Sequence, residues 1–287
     1  MSHIILELFG EPTNGSAKRP WRHVVAEQHC SYLDRRCIKV RKSDPEISIG
    51  TCTVDYGKNP VPVMICPFRM LENRKIFTDS MHLLTLHEPG NELHVVPEVT
   101  VPGGHVDYFL VSAKDGKPKD FVGIELQTLD TTGTVWPARQ RFLHSVGVPV
   151  DEQSRESTKS FGMNWKMTAK TILVQIHHKV QTFEHLNKHL VLVSQDHLLD
   201  YMKREFSFGH LNTPRVGDSM HFHAYKLKPD GNKTDGGYSL HLDNRMSTDA
   251  DGISTALGLQ AEAKVELKVI LDDIQRKMSS ATQWSPV

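Results

Sequence analysis

The chain has 287 residues, 38% of them hydrophobic and 24% charged, with 34 basic residues balanced by 34 acidic ones. That length allows one large domain or two modest ones with a real core, and no run approaches the roughly 18 apolar residues of a membrane-spanning helix. The zero net charge excludes a uniformly basic chain, and the absence of a basic, then apolar, leader makes a cytoplasmic protein the expectation.

Basic residues nevertheless crowd the segment from Lys18 to Lys75, among them Arg35, Arg36, Arg41 and Lys42, so a local basic face is expected there. Residues 1–90 hold short strand and helix signals, with a helical pattern from Leu71 to Leu86 that ends at Pro89-Gly90. Three strands follow: about Leu93 to Val101, His105 to about Ser112, and Phe121 to Thr128, joined at Pro102-Gly103-Gly104 and at Lys114-Asp115-Gly116-Lys117. They form an antiparallel meander. Leu129 to Pro137 reads as a Thr- and Gly-rich loop, and Asp151 to Ser160 as a polar connector.

A long amphipathic helix is predicted from about Asn164 to His185, with Trp165, Ala169, Ile172, Leu173, Ile176, Val180 and Phe183 along one side. His189 to Ser194 is a compact apolar strand of the kind buried on both faces. Asp196 then opens a helix whose core side is Leu198, Leu199, Met202 and Phe206. Strands from Met220 to Leu227 and Tyr238 to Leu242, and a final helix from about Leu257 to Met278, complete the chain. The order βββ–α–β–α is that of an α/β core. The division expected is a metal-binding lobe over 1–90, a core over 91–210, and strands and a helix for dimer or ligand contacts over 211–287.

Cys30, Cys37, Cys52 and Cys66 are the four cysteines, all within 37 consecutive residues. Two disulfides would require an oxidising compartment, which nothing here indicates. Four thiolates suit a tetrahedral Zn or Fe ion, and such a site is structural because it leaves no open coordination position. The spacing lacks a CxxC knuckle, and unrelated buried cysteines are the competing reading.

The meander carries acids in register. With Gly103 and Gly104 as a two-residue loop, Pro102 pairs with His105 and Glu98 falls opposite Phe109, whose side chain points to the same face as Asp107. Asp107 then lies opposite Glu125 or Gln127. Val106, Tyr108, Leu110, Val122, Ile124 and Leu126 form the apolar face, and Glu98, Asp107, Glu125 and Gln127 the polar one. Converging carboxylates bind Mg2+, which activates a water and steadies a leaving oxygen at a phosphodiester. A solvated strand face is the bland alternative. Asp107, seventeen intervening residues, then Glu-x-Gln resembles the PD-(D/E)xK nuclease motif with Gln in place of Lys.

The segments CSYLDRRCIKVRKSDPEISIGTC, ICPFR, PEVTVPGGHVDYFLV and FVGIELQTLDTTGTVWP together resemble the NotI restriction endonuclease family through roughly residues 20–210. The resemblance implies a PD-(D/E)xK core, a mixed sheet flanked by helices, beside an N-terminal lobe in which Cys30, Cys37, Cys52 and Cys66 hold one structural Fe or Zn ion. It implies Mg2+ at Asp107 and Glu125, with Gln127 beside them and an upstream glutamate at Glu98, or alternatively at Glu92. It further implies a homodimer that binds double-stranded DNA, cuts both strands at a GC-rich palindrome and leaves 5′-phosphates. A six-base site suits this shorter chain better than an eight-base one.

Arg35, Arg36, Arg41 and Lys42 flank the cysteines and are candidate DNA contacts, because arginine and lysine read guanine through O6 and N7. Thr131 and Thr132, just past the Glu-x-Gln strand, are candidates for phosphate contact. Lys166, at the start of the long helix, is a candidate for the lysine that the motif lacks. His221 and His223 share one side of a strand and, with no third ligand nearby, read as structural, while His177 and His178 diverge on a helix. The alternative function is a metal-stabilised, sequence-specific DNA-binding protein without nuclease activity.

Overall fold

The computed structural model describes residues 4–14, 19–211, 213–230, 236–259 and 267–277. In chain order these form β1 (Ile5–Leu8), β2 (Glu11–Pro12), α1 (Trp21–Glu27), β3 (His29–Cys30), β4 (Arg35–Arg36), β5 (Val40–Arg41), β6 (Asp44–Ser48), β7 (Thr51–Tyr56) and β8 (Val61–Met64). Then come α2 (Lys75–Ser80), β9 (Glu92–Val101), β10 (Gly104–Lys114), β11 (Lys117–Gln127), β12 (Thr131–Gly133), α3 (Trp136–Ser145), α4 (Glu152–Glu156), β13 (Phe161–Met163) and α5 (Trp165–His185). The rest are β14 (His189–Gln195), α6 (Asp196–Glu205), β15 (Met220–Pro229), β16 (Tyr238–Thr248), α7 (Ala250–Ala256) and α8 (Leu267–Lys277). None of these helices is long and apolar enough to cross a membrane.

A six-stranded mixed sheet in the order β16-β15-β14-β11-β10-β9 organises the molecule. The predicted meander is present, with a tight Asp115-Gly116 turn in which both residues have positive φ, as a two-residue hairpin that follows the strand twist requires. From β11 the chain crosses through α5 to the parallel β14, and through α6 to the parallel β15. β14 is buried along its whole length, which is why its pattern is continuous rather than alternating. β16 closes the sheet antiparallel to β15, so the chain past residue 210 completes the same layer that the meander begins.

Each face of the sheet has its own cover. On one, Phe109, Val111, Leu190, Leu192 and Phe222 pack under α5, α6 and α7. On the other, Leu110, Val122, Ile124, Val191 and Val193 pack under the segment from Met64 to Leu84. Each fully buried aliphatic side chain contributes about 1.5–3 kcal/mol relative to exposure. A second sheet, β2-β1-β7-β8, shares the first cluster through Ile5, Leu8, Val54 and Val63. Buried Arg69 joins the two sheets, donating to Glu7 (2.7 Å) on β1 and to the carbonyl of Tyr238 (2.9 Å) on β16. The Gln195 carboxamide bridges them again, accepting from the Met64 amide and donating to the Pro62 carbonyl.

Several local expectations are corrected. The helical segment from Leu71 to Leu86 is broken into 3-10 turns at Pro67–Arg74 and Met81–Leu83 around α2, because Glu72 and Asn73 leave helical geometry. The loop to Pro137 ends in helix α3, where Pro137 occupies the first turn, a position proline tolerates. The polar connector contains α4, capped by Asp151. Leu257 does not start the final helix: it caps α7, Gly258 turns the chain with φ +71°, and α8 begins at Leu267. The parts of the expected helix over 260–266 and at 278 lie outside the described residues.

Candidate active site

The register of the first hairpin differs from the expected one by two residues. Val101 pairs with Gly104, leaving Pro102 and Gly103 as the loop, and the flanking pairs Val106–Val99 and Tyr108–Pro97 put Glu98 across from Asp107 rather than Phe109. Glu98 adopts left-handed backbone geometry, φ +51°, and its carboxylate is exposed. Glu92 pairs with Ala113 at the far end of β9 and is not part of this group.

On the other side of Asp107, the pair Tyr108–Ile124 sets its neighbour as Glu125. The Asp107 side chain accepts a 2.8 Å hydrogen bond from the Leu126 amide. Gln127, two residues beyond Glu125, donates from Nε2 to the Thr128 carbonyl at 2.6 Å. The face these residues occupy is polar only at this end. Further along, Phe109 packs against Phe121 and Phe183 with ring centroids 5.2 Å and 6.0 Å away. On the opposite face Leu110, Val122 and Ile124 are core and Tyr108 and Leu126 sit at its rim; Val106, expected with them, is instead buried in the cluster that holds Phe109 and Val111, next to the irregular backbone at Glu98.

A residue that the sequence reading passed over completes the group. Lys179 of α5 is buried, and its Nζ lies 2.5 Å from Oε1 of Glu125 and 2.5 Å from the carbonyl of His105. Its signal was its place in the helical stripe, three residues after Ile176 and four before Phe183. Lys166, the candidate named for this role, is exposed at the start of α5. Burial pushes the Glu125 carboxyl up to about 7, with Lys179 pulling down and Asp107 adding to the rise. Burial also raises the Asp107 carboxyl, opposed by the Leu126 amide and Lys179 and reinforced by Glu98. Asp107 and Glu125 share one buried ammonium, with Glu98 adding negative charge beside Asp107, so the site's unmet demand is for positive charge.

The hairpin tip is seated by a glycine. Gly103 has φ +96°, and a Cβ there would stand 2.6 Å from the carbonyl oxygen of His178 on α5. Only a residue without a side chain lets the turn rest on the helix beside Lys179.

The four cysteines are buried and none forms a disulfide. Burial raises the Cys30 and Cys37 thiols, while the amides of Leu33 and Tyr32 oppose it at Cys30 and those of Lys39 and Gly50 at Cys37. The Cys52 hydrogen bond holds the Cys66 thiol down to about 6, helped by Lys39 and the amides of Phe68 and Arg69 and opposed by burial. Arg139, buried beside Cys37, donates to the Ile49 carbonyl and the Gln140 side chain. The Cys52 thiol is pushed up by its hydrogen bond to Cys66 and by burial, so three of the four sulfurs are held toward the thiol and Cys66 toward the thiolate. Among the described residues, no group of three or more His, Cys, Asp or Glu is arranged to hold a metal ion, the cysteines and the carboxylates included.

A family model described as restriction endonuclease NotI matches residues 18–240. The chain belongs to the NotI restriction endonuclease family. No curated protein matched the sequence. Membership in the NotI family makes the chain a site-specific deoxyribonuclease of the type II restriction class, with DNA as its partner. The match takes in the cysteines, the meander, α5 and most of the central sheet, and the mixed α/β architecture is consistent with it.

Within this NotI-family chain the expected DNA contacts fall in three places. Arg35 and Arg36 are exposed on β4, where Arg36 donates to the Glu46 carbonyl at 2.5 Å. Burial, Asp107 and Glu98 push the Tyr108 hydroxyl up, and the charge of Arg35 opposes them. Arg41 instead stacks on Trp136, 4.1 Å from the ring centre. With Lys42, Thr134, Ser157 and Lys159 it lines a groove of about 810 Å³ that holds Glu156 but not Asp107, Glu125 or Glu98. Thr131 and Thr132 pair with Met163 and Gly162 in the β12–β13 ribbon, and Thr132 is exposed. His221 and His223 are buried in β15, away from any solvated face.

Proposed function

We propose that this chain is a Mg2+-dependent endonuclease that hydrolyses both strands of duplex DNA at a GC-rich palindrome and leaves 5′-phosphates. The observation that carries the reading is the pair of half-buried Asp107 and buried Glu125, held side by side across β10 and β11 with Glu98 facing Asp107. The donor set fits a hard divalent cation: carboxylate oxygens, partly desolvated, with more negative charge than Lys179 neutralises. Asp107 and Glu125 would hold Mg2+, with Glu98 orienting a further ion or water. When bound, Mg2+ supplies Lewis acidity that offsets charge on the scissile phosphate and makes water a better nucleophile. Gln127, on the same face as Glu125, positions that water through its carboxamide. The Leu126 amide fixes Asp107, and the seated hairpin keeps the acids in place.

In the same reading, the sheet and its crossover helix are the PD-(D/E)xK core, and residues 1–90 are the lobe in which Cys30, Cys37, Cys52 and Cys66 hold one structural Fe or Zn ion. Support comes from the buried, unpaired thiols and the N–H groups and cations around them. Arg35, Arg36, Arg41 and Lys42 contact bases or phosphates, Thr131 and Thr132 the backbone, and two copies of the chain engage the two halves of the palindrome.

Incubation of plasmid with protein and Mg2+ tests the activity. Discrete fragments are expected, and sequencing their ends reads site and cut together. Asp107→Ala and Glu125→Ala are expected to abolish cutting while DNA binding survives; cutting by both variants contradicts the assignment. Metal analysis is expected to find about one Fe or Zn per chain. Cys37→Ser is expected to lower stability before it affects the chemistry.

A further inference from the structure

We propose that Lys179 is the positioning residue of this site: an ammonium delivered from helix α5 that fixes Glu125 and stands where strand β11 offers no cation. The inference rests on the nuclease reading and adds to it a residue that the strand motif does not contain. Position 127, two residues past Glu125 on the same face, is a glutamine, and its Nε2 donates to the neighbouring Thr128 carbonyl. The strand therefore brings no positive charge to its own acids. Lys179 does, touching Oε1 of Glu125 and contributing favourable charge at both Glu125 and Asp107.

The placement is a product of the fold. Helix α5 is the crossover between β11 and β14, so it runs back over the strand that carries Glu125. On that helix Lys179 falls in the buried stripe, with Ile176 and Val180 beside it and its side chain 6% exposed. Its stem passes the hairpin turn, where a Cβ on Gly104 would lie 3.5 Å from Lys179 Cε. The His105 carbonyl takes a second N–H of the ammonium. Burying a lysine is costly unless it is paired, and here both partners belong to the catalytic hairpins. One oxygen of Glu125 is committed to the ammonium and the other is left as a ligand.

The test uses the full chain carrying Lys179→Met, with Lys179→Gln read in the same way should the methionine variant fail to fold. Without DNA, thermal unfolding is followed with and without Ca2+. The variant should melt lower than the parent in the absence of the ion, and Ca2+ should raise its melting temperature more than it raises the parent's, because two acids have lost their cation. With DNA and Mg2+, kcat should fall about 100-fold, the scale of a misplaced catalytic group, while KM and DNA affinity hold. Adding Gln127→Lys to the Lys179→Met chain should partly restore kcat by returning an ammonium from the strand. A folded variant whose response to Ca2+ is unchanged, or that cuts like the parent, overturns the proposal. If the parent itself does not cut DNA, the nuclease reading fails, and the Ca2+ response still decides the role of Lys179.

Discussion

The amide of Leu126 donates a 2.8 Å hydrogen bond to Oδ2 of Asp107. The last ladder pair before this point is Tyr108–Ile124, so the aspartate side chain takes the place of a backbone acceptor where the two strands part. Asp107→Asn keeps an oxygen for that bond and loses the charge. We expect cleavage to fall at least 100-fold with the fold intact and the melting temperature unchanged or raised, since burial already disfavours the ionised carboxyl. Cleavage assays paired with thermal unfolding check both halves.

Gly103→Ala and Gly116→Ala separate seating from backbone cost. Both glycines have positive φ, but a Cβ on Gly103 meets the His178 carbonyl at 2.6 Å, whereas one on Gly116 meets nothing within 4 Å. The second change should cost roughly 1 kcal/mol and leave cutting unchanged. The first should cost about 1–3 kcal/mol and reduce kcat as well. Equal effects on kcat would show that the hairpin tip does not set the site.

Arg69 has no exposed side-chain surface and pairs with Glu7 and Glu72. Arg69→Met leaves buried carboxylates uncompensated, and the expected loss is about 3–5 kcal/mol in chemical denaturation. Adding Glu7→Gln should return part of that loss, because it removes one orphaned charge.

The buried imidazoles of β15 predict an acid limit to stability. Burial pulls the His221 ring down to about 4 and the His223 ring down to about 3, with Arg245, His82 and, for His221, His189 adding to the effect. Both are neutral in the fold and bind protons readily once unfolded. Their contribution is therefore complete above pH about 6.5 and is lost as pH falls below it, by about 1.4 kcal/mol per pH unit for each ring. Both nitrogens of His223 are buried without a partner, so His223→Leu should flatten the decline between pH 6.5 and 5. Thermal unfolding over that range measures it.

The meander, the long helix and the buried strand were legible because each carries a clear period: alternation in β10, a stripe at three and four residues in α5, and a continuous apolar run in β14. The acids followed from strand alternation, but the pairing of Glu98 did not. Register depends on which residues turn, and Pro102-Gly103 and Gly103-Gly104 are equally good turn chemistry. Lys179 was missed for a different reason. Its signal was a charge inside an apolar stripe, which is usually a snorkelling side chain; only the crossover shows that the stripe ends above Glu125. Helix α3 was hidden by Pro137, which marks a loop end and a helix start alike.

One apolar cluster runs through both sheets, and Arg69 and Gln195 tie them again at the edges. The segment bearing Arg35, Arg36, Arg41 and Lys42 is thus not a reading head on a tether. On the function proposed above, the offset between the bases it meets and the phosphate at Asp107 is set by side-chain packing when the chain folds. Changing the stagger of the cut would then require rebuilding the interior, not lengthening a loop.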